Sequence, residues 1–156
     1  MKKVLLMIVL ALVFMTTAIC CDESGNPVEN VALKNFANSG CKGNTRAGDE
    51  GRTEIVEYSV IRDGYLYINH QNVIFNCCPG ELGAKISVDG NIITITEFET
   101  KQGCKCVCPY DLSYEVGPLA EGETYTICIK RRDTEPIMEK LEFKNSISGV
   151  WKVKSV

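Results

Sequence analysis

The sequence predicts an all-β fold, a single antiparallel β-sandwich held partly by disulfides. Three observations predict it. Short segments with an apolar residue at every second position recur along residues 31–156, separated by glycine-rich or Asp-Gly turns. No stretch sustains the three-and-four apolar spacing of a helix. Nine cysteines stand among 156 residues, and seven lie beyond residue 30.

The elements are expected in this order. Val31 to Phe36 makes a first edge strand, and Cys41 to Arg52, with Gly43, Gly48 and Gly51, a long loop. Thr53 to Ile61 alternates, with Val56, Tyr58 and Val60 on one parity, and Asp63-Gly64 is a hairpin turn. Tyr65 to Cys78 is rich in β-branched and aromatic residues but long for one strand, so a kink or bulge is expected at Asn69 to Asn72. Ala84 to Glu99 reads as a hairpin with Asp89-Gly90 as its loop. That loop pairs Val88 with Asn91, Ile86 with Ile93 and Ala84 with Ile95. Leu112, Tyr114 and Val116 mark the next strand. Leu141 to Lys144 and Val150 to Lys154 are expected to close the domain as a hairpin around a turn ending at Gly149.

The first twenty residues have another character. Lys2 and Lys3 precede an unbroken apolar run from Val4 to Met15, too short to span a bilayer and suited to the core of a signal peptide. Thr16, Thr17, Ala18 and Ile19 lead to Cys20 and Cys21. This segment resembles the lipobox of bacterial lipoproteins. The resemblance implies cleavage before a cysteine whose thiol is lipidated, Cys21 by preference because the small Cys20 then precedes the cut, with Cys20 as the alternative. The divisions are then a signal peptide over 1–20, an acidic tether over 21–30 containing Gly25 and Pro27, and a domain over 31–156. Acidic residues at Asp22 and Glu23 resemble the export signal of surface lipoproteins. The address implied is the outer membrane, facing periplasm or exterior, with secretion by ordinary signal cleavage as the alternative. The partner implied is the membrane through its lipid anchor, with a protein or glycan ligand left open.

The spacing Leu119-x-x-Gly122-x-x-Tyr125-x-Ile127-x-Ile129 resembles the corner between two strands of immunoglobulin-like and fibronectin type III sandwiches. The resemblance implies that the Tyr125 hydroxyl bonds back to the preceding bend and that Tyr125, Ile127 and Ile129 face the core. The family's Cys-Trp-Cys pattern is absent.

Composition excludes some functions. Taking Lys2 and Lys3 from the 17 basic residues leaves 15 against 20 acidic ones, so the mature chain is near −5 and unsuited to a nucleic-acid partner. There is no C-x-x-C, phosphate-binding loop or G-x-G-x-x-G, and no cofactor is expected. One histidine, His70, limits any nucleophile–base pair. Asp89, Glu97 and Glu99 on one hairpin are the candidates for carboxylate hydrolysis, with Glu97 and Glu99 on the parity of Ile93 and Ile95. Tyr65, Tyr67, Tyr110, Tyr114 and Trp151 are the aromatics for a binding platform.

Cys41, Cys77, Cys78, Cys104, Cys106 and Cys108 are disulfide candidates, because an exported chain meets an oxidising compartment. Adjacent cysteines point to opposite faces of a strand, and cysteines two apart lie about 6.6 Å apart, so bridging between the Cys77-Cys78 and Cys104–Cys108 segments is expected. An odd seventh leaves one thiol unbridged, and Cys128 is the candidate because its parity opposes Ile127 and Ile129. The rival chemistry is a zinc or copper site on Cys104, Cys106 and Cys108, with His70 adding a nitrogen. The function expected is a non-enzymatic structural or ligand-binding module of the cell envelope. It would meet its partner through the loops Cys41–Arg52 and Pro79–Gly83. Metal or redox chemistry, then a small hydrolase, are the alternatives.

Overall fold

The computed structural model describes residues 30–43 and 53–153. The signal segment, Cys20, Cys21, nearly all of the tether and most of the Cys41–Arg52 loop lie outside them. Among the described residues nine strands form two sheets: β1 (Ala32–Asn38), β2 (Ile55–Arg62), β3 (Tyr65–Asn76), β4 (Leu82–Asp89), β5 (Ile92–Glu99), β6 (Val107–Gly117), β7 (Thr124–Lys130), β8 (Ile137–Glu142) and β9 (Ser148–Lys152). One sheet runs β1-β6-β3-β2-β9 and the other β4-β5-β7-β8. They pack face to face as a sandwich.

The core follows the alternation. Leu66 and Ile68 of β3, Leu112, Tyr114 and Val116 of β6, Ile93 and Ile95 of β5, and Tyr125, Ile127 and Ile129 of β7 are all buried. Each strand turns its even or odd set inward because successive side chains leave opposite faces. The expected irregularity in β3 is a bulge. Its ladder with β6 shifts between His70 and Val73, and Asn72 takes a φ of 59°, which an Asn tolerates better than most residues. The extra residue flips the parity, so the inward set changes from Leu66, Ile68 and His70 to Val73 and Phe75.

Three expectations are corrected. The β4–β5 register is offset by two residues: Ile86 faces Ile95, Val88 faces Ile93 and Ala84 faces Glu97. The loop is therefore Gly90-Asn91, with Gly90 at a φ of 52° in the first loop position, where a primed turn accepts glycine. An offset of two preserves parity, so the inward face survives and Glu97 joins it. The sandwich is not wholly antiparallel either, because β5 and β7 pair in parallel. The last two segments do not form a hairpin. β8 pairs with β7, whereas β9 crosses to the other sheet and pairs with β2. A side chain at Gly149 would collide with the Tyr58 ring, so the bare backbone there lets β9 lie against β2.

The Tyr125 corner is present. Its hydroxyl accepts a hydrogen bond from the Ala120 backbone N–H at 3.0 Å while its ring is fully buried. Removing that acceptor by Tyr125→Phe should cost about 1 kcal/mol, the ordinary net worth of one such bond, measured by denaturant unfolding. An unchanged midpoint would show that the ring alone holds the corner.

Candidate functional site

The inward parity of β3 places a histidine where the apolar pattern asks for a hydrocarbon, and the neighbouring elements answer it. His70 is fully buried. Its Nδ1 lies 3.0 Å from both carboxylate oxygens of Glu97, which arrives from β5 across the sandwich. Its Nε2 lies 2.8 Å from Oε1 of Glu54, just before β2. The Tyr114 hydroxyl donates to Glu97 at 2.9 Å, and Arg131, following β7, donates to Glu54. Two carboxylates thus face one guanidinium and one imidazole. With an acceptor at each ring nitrogen, the imidazolium is the form that satisfies both.

Burial by itself would lower the His70 pKa. The Glu97 charge first, then the hydrogen bonds to both carboxylates, outweigh it and raise the pKa above its ordinary 6.5. Burial would likewise raise Glu54, but His70 and Arg131 hold it below 4.5. Burial and then the Glu97 charge keep the Tyr114 phenol well above 10.0, so it remains a donor. Among the described residues, no buried side-chain nitrogen or oxygen lacks a partner. Chemically the cluster is saturated: each ring nitrogen of His70 is occupied by a carboxylate, and Tyr114 is committed to Glu97. It clasps the two sheets and leaves no base poised against a nucleophile.

A cleft of about 280 Å³ opens at one end of the sandwich, between the end of β5, the start of β6 and the β7–β8 loop. Glu97 and Arg131 reach its wall from the clasp. Lys105, Val107, Arg132 and Asp133 line its sides, with Cys104 and Cys106 on the β5–β6 loop. The cleft therefore mixes charges of both signs with apolar wall.

The sulfurs crowd this same end. Cys41 and Cys108 form a disulfide with Cα atoms 5.6 Å apart, 67 residues apart in sequence. A loop of that length is worth about 4 kcal/mol in the chain-entropy model. The Sγ atoms of Cys77, Cys104 and Cys106 lie within 4.8 Å of one another, and those of Cys104 and Cys106 only 3.2 Å apart. Cys104 and Cys106 precede the first residue of β6, so the extended rise of a strand does not hold them apart. The metal set read from sequence is not assembled. Cys108 is bridged to Cys41, and His70 spends both nitrogens on carboxylates. Where Cys104, Cys106 and Cys108 were expected to act together, Cys77 takes the third place. Cys128 is 3% exposed, because β7 is a central strand and Thr94 and Met138 flank it.

The carboxylates do not pair. Glu97 belongs to the clasp, Glu99 accepts from the Asn76 backbone N–H at 2.8 Å, and Asp89 stands at the far end of β4. Of the platform aromatics, Tyr110, Tyr114 and Trp151 are buried, and the Arg62 guanidinium covers Tyr65 at 3.8 Å. Glu54, Arg131 and Asn76 were not singled out from sequence. Only the position of Asn76 directly before Cys77-Cys78 hinted at its part.

No family model matches the chain, and neither a curated protein nor a solved structure matches it. What fold and site define together is an all-β sandwich with a buried ionic clasp and a cysteine-lined terminal cleft.

The clasp makes stability pH-dependent. The His70 contribution is complete below 6.5 and is lost as pH rises through the raised folded value. That of Glu54 is present above 4.5 and is lost as pH falls through its lowered value. The urea midpoint should therefore fall as pH climbs beyond 6.5. Glu97→Gln should destabilise the fold by about 3–5 kcal/mol and shrink that alkaline loss. A variant keeping the full alkaline loss would show that His70 is not its source.

Proposed function

We propose that this chain is an exported, lipid-anchored module of the cell envelope that binds its ligand in the terminal cleft without catalysis. The observation that carries the reading is polarity along the sandwich. β1 begins with Ala32 opposite Gly117, at the end of β6, so the chain enters the domain there. The cleft lies at the start of β6, beside Val107. At strand rise, the two ends are about 30 Å apart. An anchor on Cys21, or Cys20, would thus hold the domain by one end and leave the cleft facing outward. The signal-like Val4–Met15 run and Cys20-Cys21 support the address. The saturated clasp supports a binding role over hydrolysis by Glu97 and Glu99. The Tyr125 corner supports an immunoglobulin- or fibronectin III-like sandwich, and the parallel β5–β7 ladder weighs against it. A second reading, soft-metal binding, is favoured by the gathering of Cys77, Cys104 and Cys106.

Cells fed labelled palmitate should incorporate it into the wild-type protein and lose it in Cys21→Ala. Label that survives there but is lost in Cys20→Ala moves the anchor by one residue, and no label in the wild type removes the anchor from the reading. The processed protein, presented to a glycan array and a peptide display library, should yield ligands whose binding falls at least tenfold in Val107→Trp, which fills the cleft from an exposed position. Ligands indifferent to that change, or none, would overturn the cleft as the binding site.

A further inference from the structure

We propose that Cys77 bonds to Cys106, and Cys78 to Cys104, as two adjacent disulfides that brace the β3–β4 and β5–β6 loops at the lip of the cleft. The backbone dictates the first pair. The β3–β6 ladder runs Phe75 opposite Cys108 and Asn76 opposite Val107. One further step sets Cys77 opposite Cys106, and the Cys77 N–H does donate to the Cys106 carbonyl at 3.0 Å. Directly opposed residues have Cα atoms about 4.5–5.5 Å apart, inside the span a disulfide bridges.

The second pair is set by one buried amide. Oδ1 of Asn76 accepts the backbone N–H of Cys78 at 2.9 Å and that of Cys104 at 3.2 Å, while its Nδ2 donates to the Cys104 carbonyl at 2.7 Å. Gly103 N–H donates to the Cys78 carbonyl at 3.0 Å. Both cysteine backbones are thereby pinned to one side chain that is 7% exposed. The Cys77 sulfur lies within 4.8 Å of that of Cys106.

A competing solution would close Cys104 on Cys106. That leaves Cys77 and Cys78 to close on each other, with Cα atoms about 3.8 Å apart, short of the span a disulfide prefers. The proposed pairing avoids this. With Cys41–Cys108 it uses six of the seven cysteines beyond residue 30 and leaves Cys128 as the thiol in the sheet.

Formation of each bridge joins two sulfurs and releases two protons and two electrons. A dithiol–disulfide oxidoreductase of the exported compartment accepts them, its own disulfide becoming two thiols. In each pair one thiolate attacks that disulfide and forms a mixed disulfide with the oxidoreductase, and the second thiol displaces the oxidoreductase and closes the bridge.

The pairing in cells rests on the export reading, so the test uses two preparations. One is the processed protein isolated from cells under alkylation. The other is the same protein reduced, unfolded and reoxidised with a glutathione couple. Trypsin cuts after Lys105 and so separates Cys104 from Cys106. In Cys77→Ser/Cys106→Ser, the Cys78 peptide should remain joined to the Cys104 peptide. In Cys78→Ser/Cys104→Ser, the Cys77 peptide should remain joined to the peptide that begins at Cys106. Mass spectrometry without reductant reads both, and in wild type Cys128 should be the one cysteine beyond residue 30 alkylated after unfolding. Wrong joins in the reoxidised protein overturn the pairing. Correct joins there but alkylated thiols from cells uphold the pairing and overturn export. Stoichiometric zinc with reactive thiols in both preparations overturns it in favour of a metal site.

Discussion

The contact between His70 and Glu97 sets the relation of the two sheets. One residue comes from β3 and the other from β5, each is fully buried, and they meet at 3.0 Å. Apolar faces alone tolerate sliding, because burial of hydrocarbon is nearly indifferent to direction. A charged hydrogen bond away from water is not: if either partner moved, a buried charge would stand alone at a cost of several kcal/mol. Tyr114 and Glu54 close the remaining valences from the β3 sheet, and Arg131 balances the charge from the other side. The surrounding Leu66, Ile68, Ile93 and Ile95 supply the stability, while the clasp selects one alignment.

That alignment has consequences at the end where the cleft opens. Glu97 and Arg131 form part of the cleft wall, so residues that lock the sheets also line the cleft. The bulge at Asn72 is essential to this. By flipping the parity of β3 it sends Val73 and Phe75 inward and brings Asn76 and Cys77 to the lip in line with β6. The Cys41–Cys108 bridge ties the chain after β1 to the second residue of β6 at the same place. One end of the sandwich is thus cross-linked and concave. The other carries the chain entry, the Tyr125 corner and short turns. The reading of the domain as an outward-facing module depends on this asymmetry, which no single strand possesses.

Polar groups at the lip are arranged around Asn76. Its amide bonds to Cys78 and Cys104, its N–H to Glu99, and its carbonyl accepts from the Tyr110 hydroxyl. A side chain engaged on so many sides defines the positions of the sulfurs before any bond forms between them. Pre-positioning of this kind lowers the entropy lost on cross-linking.

Alternation in the sequence determined the strands, the inward set and the architecture of two packed layers, since which face a side chain occupies depends only on its own position in a strand. The Asn-rich break in β3, the Tyr125 corner and the inward parity of His70 were legible for the same local reason. Partnership was not. A period of two cannot distinguish a register from one offset by two residues, which is how Ile86 comes to face Ile95 and Glu97 to face Ala84. Nor can it say that β9 leaves β8 for β2, or that β5 and β7 run in parallel. Cys108 bonds to a cysteine 67 residues away, and Glu54 meets His70 from a neighbouring strand's approach. The sequence by itself determined faces and composition, whereas the tertiary structure decided register, sulfur neighbours and the clasp. The reason is that sulfur bonds and ion pairs depend on distance in space, and the closing of the two sheets sets that distance.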